Sequence, residues 1–187
     1  RRQRQMCIRD SQKIADALRT AQSVKGRVEV VPTPGKDYTV LIDYSHTPDS
    51  LENILKAVRG FCTGRVIAVF GCGGDRDRTK RPEMAQIAVR YADTAILTSD
   101  NPRHESPESI LDDMTAGLQP ADRYLRIADR AEAIRTASLL ARPGDLILLA
   151  GKGHETYQII GDVKHHFDDR ERIADEFDLR HTATPAH

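Results

Sequence analysis

One loop of this sequence carries side chains suited to binding a zwitterionic small molecule. It runs from Asp100 to Glu105, reads Asp-Asn-Pro-Arg-His-Glu, and follows the apolar run Thr94–Leu97 after Thr98 and Ser99. An arginine can donate two parallel hydrogen bonds to a carboxylate, and an aspartate can accept one from an ammonium group. Pro102 excludes a helix and restricts the residue before it to extended backbone, so we expect a stiff loop after a buried strand. For the loop alone, a solvated turn with ordinary surface charges is an equal alternative.

Three further loops of unusual composition also follow predicted strands. The strands are predicted at 38–43, 65–70, 94–97 and 145–150, where the sequence is largely apolar. The loops that follow them are Asp43–His46, Gly71–Arg78, Asp100–Glu105 and Gly151–Glu155. In a parallel sheet the carboxyl ends of the strands gather at one rim, where open α/β sheets bind ligands. Four such loops on one rim favour a ligand site over solvated turns.

Predicted strands and helices alternate along the chain, which is typical of an α/β domain. Helices are predicted at 13–22, from Pro48, at 82–92, at 107–118, and after the capping residues Asp129 and Asp168. The connections are long enough for right-handed crossovers, so the pattern predicts a doubly wound, mostly parallel sheet. Two short runs on either side of Gly161-Asp162 predict an antiparallel hairpin at one edge of that sheet.

The glycine-rich segment Gly71–Gly74 is predicted to let backbone approach a ligand closely. It is not a P-loop, because no Gly-Lys-Ser/Thr follows, and its glycine spacing differs from the dinucleotide fingerprint. The charged residues 75–78 have a simpler interpretation, in which they pair with one another in solvent. No histidine or cysteine pair has zinc spacing, and no serine nucleophile elbow is present.

Composition excludes several classes of protein. The 187 residues suit one domain plus appendages, and the formal net charge of zero argues against general binding to nucleic acid or anionic membranes. No apolar run approaches the roughly 20 residues of a membrane span, and no signal-peptide pattern is present. The three cysteines are too few for a disulfide framework. We therefore predict a cytoplasmic protein with free thiols.

Five motifs together resemble the third domain of the Mur ligases. They are Asp-Tyr-Ser-His-Thr-Pro-Asp at 43–49, Gly-Cys-Gly-Gly-Asp-Arg-Asp at 71–77 with Lys-Arg-Pro at 80–82, Asp-Asn-Pro-Arg at 100–103, Gly-Lys-Gly-His-Glu at 151–155 and Phe-Asp-Asp at 167–169. The likeness extends from about Lys13 to Arg172. It implies a Rossmann-like domain from an ATP-dependent ligase of peptidoglycan synthesis, of the branch that adds the third residue of the stem peptide.

The resemblance also implies a division of the chain. Residues 36–187 correspond to the C-terminal, amino-acid-binding domain, and residues 12–35 to the end of the central ATPase domain with a linker. Residues 1–11 start with Arg1 and resemble at 6–11 a translated transposon end used in sequencing libraries, so we interpret them as a non-native leader. A genuine basic tail is the alternative. Because the chain lacks a Gly-Lys-Thr loop and the family's central lysine, we expect it not to ligate alone.

The resemblance implies ligand contacts at the positions of this sequence that match the family's motifs. For the incoming amino acid, the resemblance implies Arg76, Asp100, Asn101, Pro102, Arg103, Gly151 and Glu155. For ATP it implies Arg27, Asp43 and His46. Mg²⁺ would be held mainly by the family's central domain, and no catalytic residue or metal ligand is expected in this chain.

The Asp-Asn-Pro-Arg form is associated in this family with meso-diaminopimelate. That substrate has a distal carboxylate that a guanidinium fork suits, whereas lysine has none. The implied partners are therefore meso-diaminopimelate, UDP-N-acetylmuramoyl-dipeptide, ATP and the family's N-terminal and central domains. Two departures from the pattern are Ser45 for alanine and Ser99 for aspartate. The alternatives are a folylpolyglutamate-type ligase domain and a non-catalytic module that binds an amino acid or nucleotide.

Overall fold

The computed structural model of the chain describes residues 25–181, with side chains described up to Glu176. The predicted leader at 1–11 and the predicted helix at 13–22 lie outside these residues. Within the described part, no helix combines the length and apolar character that crossing a bilayer requires.

A six-stranded, mostly parallel sheet forms the centre of the fold, and helices cover both of its faces. Its strands are β1 (Glu29–Val31), β2 (Thr39–Asp43), β3 (Val66–Cys72), β4 (Thr94–Ser99), β5 (Tyr124–Arg126) and β6 (Leu146–Ala150). The helices are α1 (Pro48–Arg59), α2 (Lys80–Tyr91), α3 (Pro107–Thr115), α4 (Arg130–Leu140) and α5 (Asp169–His181). The spatial order is β1-β2-β6-β3-β4-β5, and only β1 is antiparallel to its neighbour. The predicted α/β class is confirmed.

The predicted hairpin forms, but it does not extend the sheet. Strands β7 (Tyr157–Ile160) and β8 (Val163–His166) make a separate two-stranded sheet, and the antiparallel edge of the main sheet is β1. The preceding strand β6 is already paired on both sides, by β2 and β3. The hairpin follows β6 after a short loop and finds no free edge of β6 to pair with. It therefore lies at the rim, where Ile160 of β7 forms a bridge with Arg103.

Alternation along the buried strands divides the core between the two faces of the sheet. In β3, Ala68 and Phe70 pack with α1, α2 and α3, whereas Ile67 and Val69 pack with α4 and α5. Successive side chains of a strand point to opposite faces, so a strand covered on both faces is apolar throughout. This explains why the central strands read as continuous apolar runs without polar alternation.

Two predicted helix starts are confirmed by their caps. The hydroxyl of Thr47 accepts from the backbone N–H of Ser50, whose own hydroxyl accepts from the N–H of Thr47, which completes a capping box before α1. Asp129 accepts from the N–H of Glu132 at 2.9 Å and caps α4. Both caps fix helices that begin at the rim formed by the carboxyl ends of the strands.

A buried ion pair joins α4 to α5. The Arg130 guanidinium donates to both carboxylate oxygens of Asp169, at 2.8 and 2.6 Å, and to the carbonyl of Ala150 at 3.2 Å. The two side chains are 0% and 1% exposed. Because Ala150 ends β6, this pair fixes both helices relative to the loop that follows that strand.

The segment before β1 is attached directly to the rim. Gly26 has φ of 76°, and a Cβ there would lie 2.2 Å from the backbone nitrogen of His154, so only glycine fits. The carboxylate of Glu29 accepts from the N–H of Gly26 at 2.6 Å and from Arg170 at 2.8 Å. The Arg170 hydrogen bond in particular lowers the pKa of Glu29 to about 2. This segment, residues 25–28 and called the entry segment below, therefore packs on the loop after β6.

Replacing Asp169 by alanine should destabilise the domain strongly, because it leaves the Arg130 cation buried without its partner. Losing one member of a buried pair costs about 3–5 kcal/mol. The matched control is Glu132→Ala, which removes the exposed partner of Arg135 on the same helix and should cost below about 1 kcal/mol. Urea unfolding of both variants measures the difference. Similar losses would contradict the role given to the buried pair.

Acid should weaken the attachment of the entry segment through Glu29. Its carboxylate has a lower pKa in the folded chain than the ordinary 4.5, so its contribution is complete above pH 4.5 and is lost as the pH falls towards 2. The stability difference between the parent chain and Glu29→Gln should therefore shrink over that range. Urea midpoints at a series of pH values measure it, and a gap independent of pH would refute the assignment.

Candidate functional site

The four loops predicted to share one rim are in contact there. The N–H of Gly151 donates to the carbonyl of Asp43 at 3.0 Å, which joins the loops after β6 and β2. The N–H of Gly74 donates to the carbonyl of Asn101 at 2.9 Å, which joins the loops after β3 and β4. The Asn101 amide donates to Glu155 at 3.0 Å and links the loops after β4 and β6. The predicted gathering is confirmed.

The backbone of Arg103 lies in the left-handed region, with φ of 52°. A non-glycine residue adopts this conformation only when its surroundings enforce it, and β7 does so here. Its N–H donates to Ile159 at 3.0 Å, and its carbonyl accepts from Gly161 at 2.7 Å. Its Nη1 donates to the carbonyls of Gly74 and Asn101, at 2.8 and 3.3 Å. Within the described residues, Nη2 and Nε have no partner and are available to a ligand.

The glycine-rich loop after β3 owes its composition to the neighbouring loop. A Cβ on Gly74 would lie 1.8 Å from the carbonyl oxygen of Pro102. Glycine therefore permits the loop after β3 to touch the loop after β4. The sequence had suggested a close approach to a ligand, and the structure assigns this glycine to contact between two loops.

The charged residues after the glycines do not pair with one another. Their side chains contact residues outside the group: Asp75 contacts His104 at 3.0 Å, Asp77 contacts Thr79 at 2.7 Å and Arg78 contacts Asp113 at 2.9 Å. The contact with Asp75 raises the pKa of His104. Arg76 is exposed and donates only to the carbonyl of Asp75, at 3.1 Å, among the residues described. Its guanidinium is therefore the least committed cation of this loop.

A fully buried lysine lies beneath the predicted amino-acid pocket. The Nζ of Lys152 donates to the carbonyl of Tyr157 at 2.7 Å and to the Oδ1 of Asn101 at 3.3 Å. It also lies 3.3 Å from Asp100 and 4.0 Å from Glu155. Burial lowers the pKa of this ammonium, and the charge of Asp100 opposes that shift. The sequence motif had suggested its neighbours Gly151 and Glu155 but not the lysine.

The Oδ1 of Asp100 is buried and has no aligned hydrogen-bond donor among the described residues. The Lys152 ammonium is close enough to pair with it electrostatically, at 3.3 Å, but not directed for a hydrogen bond. A buried carboxylate oxygen without a donor is unfavourable unless something else supplies one. The Oδ1 is enclosed beside Lys152, and the 15% of the Asp100 side chain that is exposed is the part that a ligand can reach.

A second buried cation, Arg81 of α2, supports the other side of the rim. It donates to both oxygens of Glu105, at 2.8 and 2.7 Å, to Asp113 at 2.7 Å and to the carbonyl of Gly73 at 3.1 Å. Glu105 in turn accepts from the N–H of Asp75 at 2.6 Å. The Arg81 hydrogen bonds lower the pKa of Glu105 to about 2. This network holds the glycine-rich loop against the loop after β4.

The three residues predicted to face ATP lie near β2 and the entry segment. Asp43 is buried, and its carboxylate accepts from the N–H of Val28 at 2.9 Å and from the Ser45 hydroxyl. His46 is exposed and its Nδ1 lies 2.8 Å from the carbonyl of Tyr44, which leaves Nε2 available. Arg27 is exposed, and its side chain makes no hydrogen bond or ion pair among the described residues. Asp43 thus has a structural role that the sequence did not predict, and its contact with ATP stays a prediction.

Among the side chains that the structure describes, residues 25–176, no group of three or more His, Cys, Asp or Glu is able to hold a metal ion. Burial raises the pKa of the Cys72 thiol to about 12, so this sulfur stays protonated at neutral pH.

Comparison with known proteins agrees with this geometry. The family model described as the Mur ligase, glutamate ligase domain matches residues 26–153. A UDP-N-acetylmuramoyl-L-alanyl-D-glutamate--2,6-diaminopimelate ligase from Trichormus variabilis is 61% identical over 163 residues, which are 87% of this chain and 33% of that protein. The chain therefore spans about a third of the length of this curated relative.

Solved structures give the same result. A UDP-N-acetylmuramoyl-L-alanyl-D-glutamate--2,6-diaminopimelate ligase superposes with a TM-score of 0.80 at 43% identity, covering 89% of this chain and 34% of that one. A folylpolyglutamate synthase from Thermotoga maritima has a TM-score of 0.53 at 20% identity over 73% of this chain and 29% of that one, a likeness of fold alone. The family model covers well over half of the sequence, and on that basis this chain belongs to the Mur ligase family.

Proposed function

We propose that this chain is the amino-acid-binding domain of a ligase that joins meso-diaminopimelate to UDP-N-acetylmuramoyl-L-alanyl-D-glutamate in peptidoglycan synthesis. The proposal is supported by the 61% identity to a relative that bears that activity in its name. The matched segment lies in the C-terminal part of such relatives. A cytoplasmic location follows from the same proposal, since the nucleotide-linked substrate and ATP occur there.

The geometry of Arg103 is the observation that carries the proposal. One amino group of its guanidinium holds Gly74 and Asn101, while Nη2 and Nε have no partner among the described residues. The residue is half-buried, and its backbone is fixed by two hydrogen bonds to the hairpin. A guanidinium held in this way presents a planar pair of donors that matches a carboxylate. The distal carboxylate of diaminopimelate supplies that group.

The acidic residues of the rim complement the amino groups of the same substrate. The side chains of Asp100 and Glu155 are 15% and 16% exposed at the rim. Glu155 receives the Asn101 amide at one oxygen and the Tyr44 hydroxyl, at 3.4 Å, at the other. Carboxylates in these positions can accept from an ammonium group. Arg76, with its uncommitted guanidinium, is the counterpart for the second carboxylate. The proposed pocket thus contains both signs of charge that a diamino dicarboxylate requires.

In the proposed reaction, ATP transfers its γ-phosphoryl group to the D-glutamyl side-chain carboxylate, giving an acyl phosphate and ADP. The amine of diaminopimelate then attacks the acyl carbon and displaces phosphate, which forms the amide. This domain contributes by holding the amine donor in place, a positioning effect. Arg27, Asp43 and His46 are proposed to contact ATP when the domain closes, and Mg²⁺ is assigned to the family's P-loop domain.

The two alternatives have less support. The folylpolyglutamate synthases share the fold at about a fifth identity, as in the Thermotoga maritima protein at 20%, which supports no common substrate. A non-catalytic binding module would require the rim to bind its ligand outside any ligase. Both alternatives predict that this chain fails to restore ligation when joined to the remainder of a diaminopimelate ligase.

The test is therefore a fused enzyme, made by replacing the matched part of the Trichormus variabilis relative with this chain. We expect ATP-dependent ligation of meso-diaminopimelate by the fused enzyme and none by the chain alone, because its sequence has no phosphate-binding loop. Release of ADP and formation of the tripeptide product measure both. Ligation by the chain alone would contradict the domain assignment. A folded fused enzyme that hydrolyses ATP without ligating would contradict the proposed substrate.

Arg103→Ala in the fused enzyme should lower kcat/KM for meso-diaminopimelate tens- to thousands-fold, from a cost of about 2–5 kcal/mol for an unpaired buried charge. Turnover of lysine should fall far less, since lysine has no distal carboxylate, and Arg103→Lys should restore only part of the activity. Arg135→Ala, an exposed arginine on α4, is the control. Steady-state kinetics with both amino acids measure selectivity, and equal losses for the two would assign Arg103 a structural role.

A further inference from the structure

The hairpin contacts the Asp100–Arg103 loop along its whole length. Four hydrogen bonds join the two segments. The Gln158 side chain donates to the Asp100 carbonyl at 2.7 Å, and the Ile159 N–H donates to the Asn101 Oδ1 at 2.9 Å. The Arg103 N–H donates to the Ile159 carbonyl at 3.0 Å, and the Arg103 carbonyl accepts from the Gly161 N–H at 2.7 Å. These bonds satisfy the Asp100 carbonyl and both backbone groups of Arg103, which have no sheet partner because β4 has ended. The hairpin therefore holds this loop in place through hydrogen bonds.

The Asn101 side chain is oriented by the same contacts. Its Oδ1 accepts from both the Lys152 ammonium, at 3.3 Å, and the N–H of Ile159, at 2.9 Å. Two donors at one end of an amide fix which end is oxygen, so the Nδ2 must be directed at Glu155, 3.0 Å away. Without the ammonium, the amide would lose one of the two contacts that determine its orientation.

Lys152 also connects the hairpin to the rim, through buried contacts of its ammonium group. Its side chain is 0% exposed, and its ammonium donates to the carbonyl of Tyr157 in β7 at 2.7 Å. A buried ammonium requires acceptors on several sides, and here they come from the loop after β4 and from the hairpin. The lysine and Gln158 thus act on adjacent residues, Asn101 and Asp100, at the start of the same loop.

We propose that the β7–β8 hairpin determines amino-acid selectivity by holding the Asp100–Arg103 loop, with Gln158 and Lys152 as its positioning residues. Gln158 acts through the carbonyl of Asp100, and Lys152 acts through the amide of Asn101. The inference rests on the proposed function, since selectivity is meaningful only if this rim binds the amino acid. It extends that function to two residues that the motif resemblance does not assign.

The mildest test is Gln158→Leu in the fused enzyme, which keeps the bulk of the side chain and removes its amide donor. We expect the KM for meso-diaminopimelate to rise about three- to tenfold, the loss of one hydrogen bond. The KM for ATP should stay within about twofold, and the preference for diaminopimelate over lysine should fall. Gln86→Leu on α2 is the matched control, because it removes an amide donor to the carbonyl of Gly117, which follows α3.

Lys152→Met is the stronger variant, since it keeps the chain length and removes the ammonium. It should raise the KM for meso-diaminopimelate more than Gln158→Leu does and lower the selectivity over lysine further. Thermal unfolding of each variant separates folding from positioning. Lys152→Met tests the inference only where it remains folded, and Gln158→Leu, at a partly exposed position, provides the test otherwise.

The outcomes distinguish this inference from the function on which it rests. If the unsubstituted fused enzyme does not ligate, the proposed function fails. If it ligates and Gln158→Leu changes the KM for diaminopimelate and for ATP equally, or leaves the selectivity unchanged, the hairpin is only structural and the inference is wrong. A KM effect confined to the amino acid, together with a lower preference for diaminopimelate over lysine and with neither seen in Gln86→Leu, supports it.

Discussion

The arrangement of the rim depends on one buried charge, the ammonium of Lys152. A cation removed from water is tolerated only when polar groups surround it. Here those groups come from three chain segments: Asn101 and Asp100 after β4, Glu155 after β6 and the Tyr157 carbonyl in the hairpin. The segments must converge for the charge to be buried, so this interaction makes three separate loops into one surface.

Two further buried cations fix the helices in the same way, because each requires polar groups from separate segments to converge on it. Arg81 joins α2 to Glu105 and to the glycine-rich loop, and Arg130 joins α4 to Asp169 and to the end of β6. Buried ion pairs add little net stability compared with apolar packing, but breaking one is expensive. Their effect here is to allow one arrangement of rim and helices and to penalise others. The apolar faces of the sheet supply the stability, and the cations specify the geometry.

The sequence predicted the features that have a local or periodic signal. Apolar runs located the strands, Thr47 and Asp129 located helix starts, and parallel topology then required loops such as Asp100–Glu105 to meet at one rim. It did not predict the cations beneath that rim, because a pair such as Lys152 and Asn101, 51 residues apart, leaves no periodicity. Nor did it predict the place of the hairpin or the left-handed backbone of Arg103, since both result from tertiary contact.

The contact between Gly26 and the loop after β6 has a mechanical consequence. The chain reaches β1 along the rim, with the Gly26 backbone against His154, two residues beyond Lys152. A displacement of the chain at Gly26 would therefore move the loop after β6 directly. Because the Lys152 ammonium contacts Asn101 and the hairpin, the same displacement would shift the side chains proposed to bind the amino acid. The segment before β1 and the proposed pocket are thus mechanically coupled.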